Sequence, residues 1–192
     1  MLMLATRGLQ GTSFADVLEH SGAPRGSVYH HFPGGKTQLV SAAIEHASER
    51  ALAFVDRAKA GSPRELTAVF LQLWREVLTR SRLEAGCSVL AVAVAADTPE
   101  LRESAANIFR SWRSHLAGLL EQGGLSKGDA ARFAAILVSA SEGAVALSRA
   151  EKSLEPFELT ASMLLDQVER LAAGSRRVAR TKGKRPSRSK KA

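Results

Sequence analysis

GTSFADVLEHSGAPRGSVYHHF, residues 11–32, is the stretch on which the fold turns. At its centre Ser21-Gly22 is a turn signal, and glycine tolerates the left-handed backbone that a tight reversal needs. The spacing on either side predicts short helices over 13–20 and 24–31, the second opened by Pro24, whose fixed φ suits a first helical turn. Two short helices joined this closely have helix-turn-helix proportions. The arrangement requires an apolar inner face, which Phe14, Val17, Leu18, Val28 and Phe32 can supply. The outer face of the second helix then carries Arg25, Gly26, Ser27, Tyr29 and His30. Gly26 and Ser27 are small enough for close approach to a groove, Arg25 can reach phosphate or guanine, and Tyr29 can donate to phosphate. Short helical hairpins are common, so pattern alone leaves Tyr29 open as a packing residue.

Working outward, residues 1–7 read as the end of a helix stopped at Gly8, and Pro33-Gly34-Gly35 breaks the chain again. A long helix is predicted over 36–60, with Leu39, Val40, Ile44, Ala47, Ala51 and Val55 on one stripe. Ser62-Pro63-Arg64-Glu65 is a capping box with Pro at the first helical position. It opens a helix carrying Leu66, Phe70, Leu73, Trp74 and Val77. Residues 88–96, SVLAVAVAA, fit a strand by their valines and a buried helix by their alanines; periodicity does not decide between the two. Asp97-Thr98-Pro99-Glu100 starts a helix through Leu101, Ile108, Phe109, Trp112 and Leu116 to the Gly123-Gly124 stop. Another follows from 126–129 with Phe133, Ile136, Leu137 and Leu147, and Pro156 opens the last. The class is all-α: a small helix-turn-helix headpiece over 1–46, a larger helical body over 47–173 and a tail over 174–192.

Composition narrows the function. The 192 residues suffice for one core, or for a headpiece fused to a body. Nine of the 27 Lys and Arg lie in 174–192, which has no Asp or Glu, so the rest of the chain is close to neutral despite a formal charge of +8. Nucleic-acid binding by the body therefore has to come from local placement of a few residues. The tail has no hydrophobic pattern and is expected to be disordered; it reads as a nonspecific electrostatic arm, or as a solubility tail. No run of eighteen apolar residues occurs, and the first residues lack the features of a signal peptide, so neither a membrane span nor a leader is expected. The single cysteine, Cys87, fits a reducing cytoplasm and reads as a small core residue. The adjacent His30 and His31 point apart on a helix and do not form a metal pair. No G-x-S-x-G, Walker loop, H-E-x-x-H or cysteine cluster is present, so an enzyme, a metal site and a cofactor are all unindicated.

The run Gly11-Thr12-Ser13-Phe14-Ala15-Asp16-Val17, followed by Ser21 through Phe32, resembles the DNA-binding domain of the TetR family of bacterial regulators. The continuation Pro33-Gly34-Gly35-Lys36-Thr37-Gln38-Leu39 is similar to the branch related to LmrA and YxaF, as are Gly86-Cys87 and the apolar run after them. The resemblance implies a cytoplasmic, nucleoid-associated homodimer that binds double-stranded operator DNA, most simply as a repressor released by a small hydrophobic effector. It implies that Ser13 touches a phosphate, that Arg25, Gly26, Ser27, Tyr29 and His30 form the DNA face, and that Lys36 meets the backbone at a helix start. It places an effector pocket within the core of the body, where Trp74, Phe109, Trp112, His115, Phe133 and Leu137 are the candidate contacts; their spacing equally describes ordinary core. Glu142, on a mostly apolar helix, reads as a pocket, interface or solvated group. The family's first helix has about three turns before the equivalent of Gly8, and residues 1–7 supply fewer. A headpiece short of packing there would expose apolar surface behind the recognition helix. Two further functions stay open: a ligand-binding dimer with impaired specific DNA binding, and a nonspecific nucleic-acid binder acting through its tail.

Overall fold

Every turn signal in the sequence begins or ends a helix in the computed structural model, which describes residues 1–183; the side chains of Arg25, Ser27 and residues 178–183 are outside that description, as are residues 184–192 altogether. Among the described residues all regular structure is helical: α1 (Leu2–Arg7), α2 (Phe14–Ser21), α3 (Arg25–His31), α4 (Gly35–Arg57), α5 (Pro63–Arg80), α6 (Ser88–Ala95), α7 (Pro99–Gln122), α8 (Lys127–Glu151) and α9 (Glu155–Gly183). The all-α class expected from the sequence therefore holds. The open stretch 88–96 resolves as the helix α6, because its Val89 and Val92 are buried on one side against the body.

The helix starts are chemically specified. Ser13, Ser62, Thr98 and Ser126 each accept the backbone N–H three residues on, and Pro stands at the start of α5 and α7. Each such cap contributes about 1 kcal/mol. At α5 the box is stretched: Glu65 reaches back past Ser62 to the N–H of Gly61 at 2.8 Å. At α6 the cap is a thiol, Cys87 Sγ accepting from Leu90 N–H at 3.3 Å.

The core is built by α4, α5, α7, α8 and α9 packing on one another, with α6 against α7 and α1 against α6. Leu71, Leu78, Leu116, Leu120, Phe133, Leu137, Phe157 and Val168 are fully buried, each worth about 1.5–3 kcal/mol of burial. By length and composition α8 is apolar enough to cross a membrane, but Phe133, Leu137, Val138, Val145 and their neighbours spend that apolarity inside the protein. The long α4 runs from headpiece to body: Val40 and Ile44 are buried near its start, Ser48 and Val55 further on.

Two expectations change here. α9 runs on to Gly183, well into the segment expected to be without structure from 174. Extending a formed helix adds a hydrogen bond for each residue fixed, and Ala and Arg in this segment are good helix formers. The rest of the basic tail, with the electrostatic role expected of it, lies outside the described residues. In the headpiece, α2 has no fully buried residue; Phe14, Val17 and Leu18 are only half-buried. An apolar cleft of about 140 Å³ lies there, lined by Leu2, Leu4, Phe14, Val17, Leu39 and Val40.

Candidate functional site

The headpiece presents α3 to solvent. Gly22 takes the left-handed backbone (φ 66°) that turns α2 into α3. Val28 is the buried anchor of α3, and Phe32 at its end is half-buried. Tyr29 is 59% exposed. Its ring leans on Phe14 of α2 with centroids 5.1 Å apart, which steadies the ring while the residue stays exposed. His30 and His31 are exposed, edge to face at 5.6 Å, and no group of three metal-ligating side chains occurs among the described residues. Gly26 is informative: a Cβ added there would meet nothing within 4 Å. Among the described residues nothing requires glycine at this position, so any requirement comes from a body that approaches α3 from outside. The backbones of Arg25 and Ser27 lie on the same helix; their side chains are outside the described residues.

Two sequence-selected groups are engaged internally. Ser13 Oγ accepts Asp16 N–H at 3.0 Å and donates to Asp16 Oδ2 at 2.6 Å, while Asp16 Oδ2 takes Ser13 N–H at 2.9 Å. The hydroxyl proton a phosphate would need is thus committed to a carboxylate, which these hydrogen bonds hold below its ordinary value. Lys36 Nζ donates to the Leu9 carbonyl at 3.1 Å, tying α4 to the α1–α2 link. Two of its three donors remain for another acceptor.

The body contains a cavity of about 360 Å³ between α4, α5 and the segment 86–89. Its walls include Ala51, Phe54, Leu73, Trp74, Val77 and Trp112, and its edge carries Arg50, Arg57, Arg80 and Glu76. Trp112 Nε1–H donates to the buried Ser48 Oγ of α4 at 2.7 Å. Of the six pocket candidates, Trp74 and Trp112 line this cavity. Phe109 sits behind it, edge to face with Trp112 at 5.9 Å. His115 is half-exposed and pairs with Asp56 of α4 at 2.7 Å. Phe133 and Leu137 are sealed in the core, 1% and 0% exposed, because α7 and α9 cover that face of α8.

Cys87 also lines the cavity, and burial pushes its thiol well above its usual value. Near it Glu142 of α8 is 6% exposed, with neither carboxylate oxygen hydrogen-bonded. Burial pushes this carboxyl up to about 7, against the opposing effect of the Cys87 thiol. The sequence left Glu142 between pocket, interface and solvent; its side chain is in the interior.

A second link joins cavity wall and headpiece. Gly86 N–H donates to the Ala5 carbonyl of α1 at 2.8 Å. Arg149 of α8 donates from Nη2 to the Thr6 carbonyl at 3.3 Å and to the Glu84 carbonyl at 2.9 Å. Sequence reading missed this, and missed Arg50 and Arg57, although their seven-residue spacing on a predicted helix puts them on one face.

Comparison with known proteins bears on both parts. Residues 2–43 match the family described as bacterial regulatory proteins, tetR family, and residues 63–163 match the transcriptional regulator LmrA/YxaF-like C-terminal domain. The chain is 36% identical over 165 residues to an uncharacterized HTH-type transcriptional regulator of Mycobacterium tuberculosis, covering 82% of this chain and 84% of that one. It is 28% identical over 179 residues to the HTH-type transcriptional regulator LmrA of Bacillus subtilis, covering 88% and 95%. Among solved structures, a TetR transcriptional regulator from Chloroflexus aurantiacus superposes with a TM-score of 0.71 at 28% identity, covering 88% of each chain. The regulatory protein TetR from Rhodobacter sphaeroides superposes at 0.76 with 22% identity, covering 85% and 92%, and so shares the fold.

Proposed function

Given that the chain belongs to the TetR family of bacterial transcriptional regulators, with a C-terminal domain of the LmrA/YxaF-like type, we propose that it is a repressor released from a palindromic operator by a small hydrophobic effector. Regulators of this family bind operator DNA and dimerise; they are not enzymes. The observation that carries the proposal is the path of α4. Its first turn holds the headpiece through Lys36, and from Ala47 onward the same helix forms a wall of the 360 Å³ cavity. The division of the chain into a DNA-binding unit over 1–46 and an effector and dimerisation unit over 47–173 follows that path.

In this reading Arg25, Gly26, Ser27, Tyr29 and His30 face the operator. Tyr29 is supported by its exposure and its seat on Phe14, Gly26 by the open space above it. Lys36 reaches a phosphate with its remaining donors, and Ser13 acts as the cap that holds α2. Trp74 and Trp112 touch the effector; Phe109, His115, Phe133 and Leu137 support the wall or the core. Dimerisation through α8 and α9 is supported by the exposed apolar side chains Ile136, Leu147, Leu159 and Met163. Two headpieces then meet half-sites about 34–36 Å apart, or a multiple of that. An effector that moves Trp112 acts on Ser48 and so on α4. A coupling of about 1–3 kcal/mol makes a useful switch, and DNA must weaken effector binding by the same factor. The protein acts in the cytoplasm, on the nucleoid.

The test is binding to the promoter DNA flanking its own gene, with excess competitor DNA, for wild type and Tyr29→Ala. Specific binding by the wild type with clear loss in the variant is expected. Equal binding by both, abolished on deletion of residues 174–192, would replace this reading by tail-driven association.

A further inference from the structure

The rim of the body cavity differs in charge from its interior. The interior is apolar, walled by Ala51, Phe54, Val77 and the two tryptophans. Four charged side chains line the edge, and three of them are arginines. Arg80 is neutralised by Glu76 at 3.0 Å. Among the described residues Arg50 and Arg57 have neither an ion pair nor a hydrogen bond. They stand two turns apart on the α4 face that also carries Ala51 and Phe54, about 10 Å along the axis. A guanidinium offers five donors and no acceptor, and it remains charged at any physiological pH. Its preferred partner is a carboxylate, sulfonate or phenolate oxygen, and a low-dielectric wall beside it strengthens that contact.

We propose that this cavity takes a small aromatic anion, its apolar body against Phe54, Trp74 and Trp112 and its anionic group on Arg50 or Arg57. The proposal rests on reading the cavity as the effector site and adds the chemical class of the effector. The volume, about 360 Å³, lies at the lower end for small-molecule sites and suits a two- or three-ring ligand. Both arginines are on the helix that reaches the headpiece, so an anion drawn to them pulls on α4 directly.

The chain has two tryptophans, and both line the cavity, so their emission reports occupancy. The full chain is titrated with 8-anilinonaphthalene-1-sulfonate and with N-phenyl-1-naphthylamine, which share a ring system and differ in the sulfonate. The sulfonate is expected to quench tryptophan at a concentration about tenfold lower than the neutral probe, the contribution of a charge-assisted hydrogen bond. Combining Arg50→Gln with Arg57→Gln should abolish that preference, so that the two probes bind alike. Ala51→Phe, which fills the cavity, should weaken both probes. Equal affinities in the wild type, unaltered by the arginine changes but lost in Ala51→Phe, would overturn the anion while leaving the cavity as a ligand site. Absence of quenching by either probe, or binding indifferent to Ala51→Phe, would remove the cavity reading and the proposal with it.

Discussion

Glu142→Gln should separate one component of the protein's pH-dependent stability from all others. The carboxyl is 6% exposed, its two oxygens have no hydrogen-bond partner, and burial lifts it from 4.5 to about 7. In the unfolded chain it returns to its ordinary value. The folded state therefore holds the proton more tightly, and unfolding releases it between those two values. Ionising Glu142 weakens the fold as pH rises from about 4.5 through 7, with little further change above. Between pH 5 and 8 the loss amounts to about 2–3 kcal/mol. Glutamine has nearly the same shape and does not ionise, so the variant lacks this loss. Its own buried amide costs the same at every pH and cancels from the difference. The gap between variant and wild type should widen by that amount from pH 5 to 8, in favour of the variant, or by roughly 5–10 °C in Tm for a chain of this size. Urea denaturation followed by circular dichroism at pH 5, 6, 7 and 8, at one fixed protein concentration, measures it. A gap that stays constant with pH, or that closes as pH rises, would show that the native carboxyl is solvated or paired, and the placement of Glu142 would be wrong.

Two further substitutions test other parts of the structure. Gly26→Ala places a methyl group where the chain has nothing within 4 Å, so the fold should be unharmed or gain up to about 1 kcal/mol of helix propensity; operator affinity should nonetheless fall at least several-fold in a gel-shift titration, and unchanged affinity would mean that α3 does not approach DNA at this point. Arg149→Met removes the donors that pin the Thr6 and Glu84 carbonyls; a loss of about 1–2 kcal/mol is expected, with faster amide exchange confined to α1 and the 84–87 segment, and uniform exchange changes would deny that this contact links headpiece to body.

The limits of sequence reading follow from how far apart the relevant residues stand. Ser13, Ser62, Thr98 and Ser126 were legible as helix starts because a cap acts across three residues, and the chain itself brings such groups together. Gly22 was legible because the left-handed turn is a property of its own backbone. The 88–96 stretch was not, since its apolar pattern is satisfied by either structure until a partner surface covers Val89 and Val92. Of the proposed pocket residues, Trp74 and Trp112 line the cavity while Phe133 and Leu137 are sealed in the core, and nothing in their periodicity separates the two cases. A helix stripe says which face is inward, not whether a gap remains on it.

Local chemistry and periodicity thus determined, from the sequence alone, the all-helical class, the order of the elements and the helix-turn-helix. Only the tertiary structure decided that Lys36 holds Leu9 across 27 residues, that Arg149 reaches Thr6 across 143, and that the Glu142 carboxyl is buried with neither oxygen hydrogen-bonded. It also brought Arg50 and Arg57 to the edge of an aromatic cavity. The physical reason is that capping and turn energies act over a few residues, whereas burial, desolvation and pairing depend on which distant surfaces the packed helices bring within a few ångströms of each other.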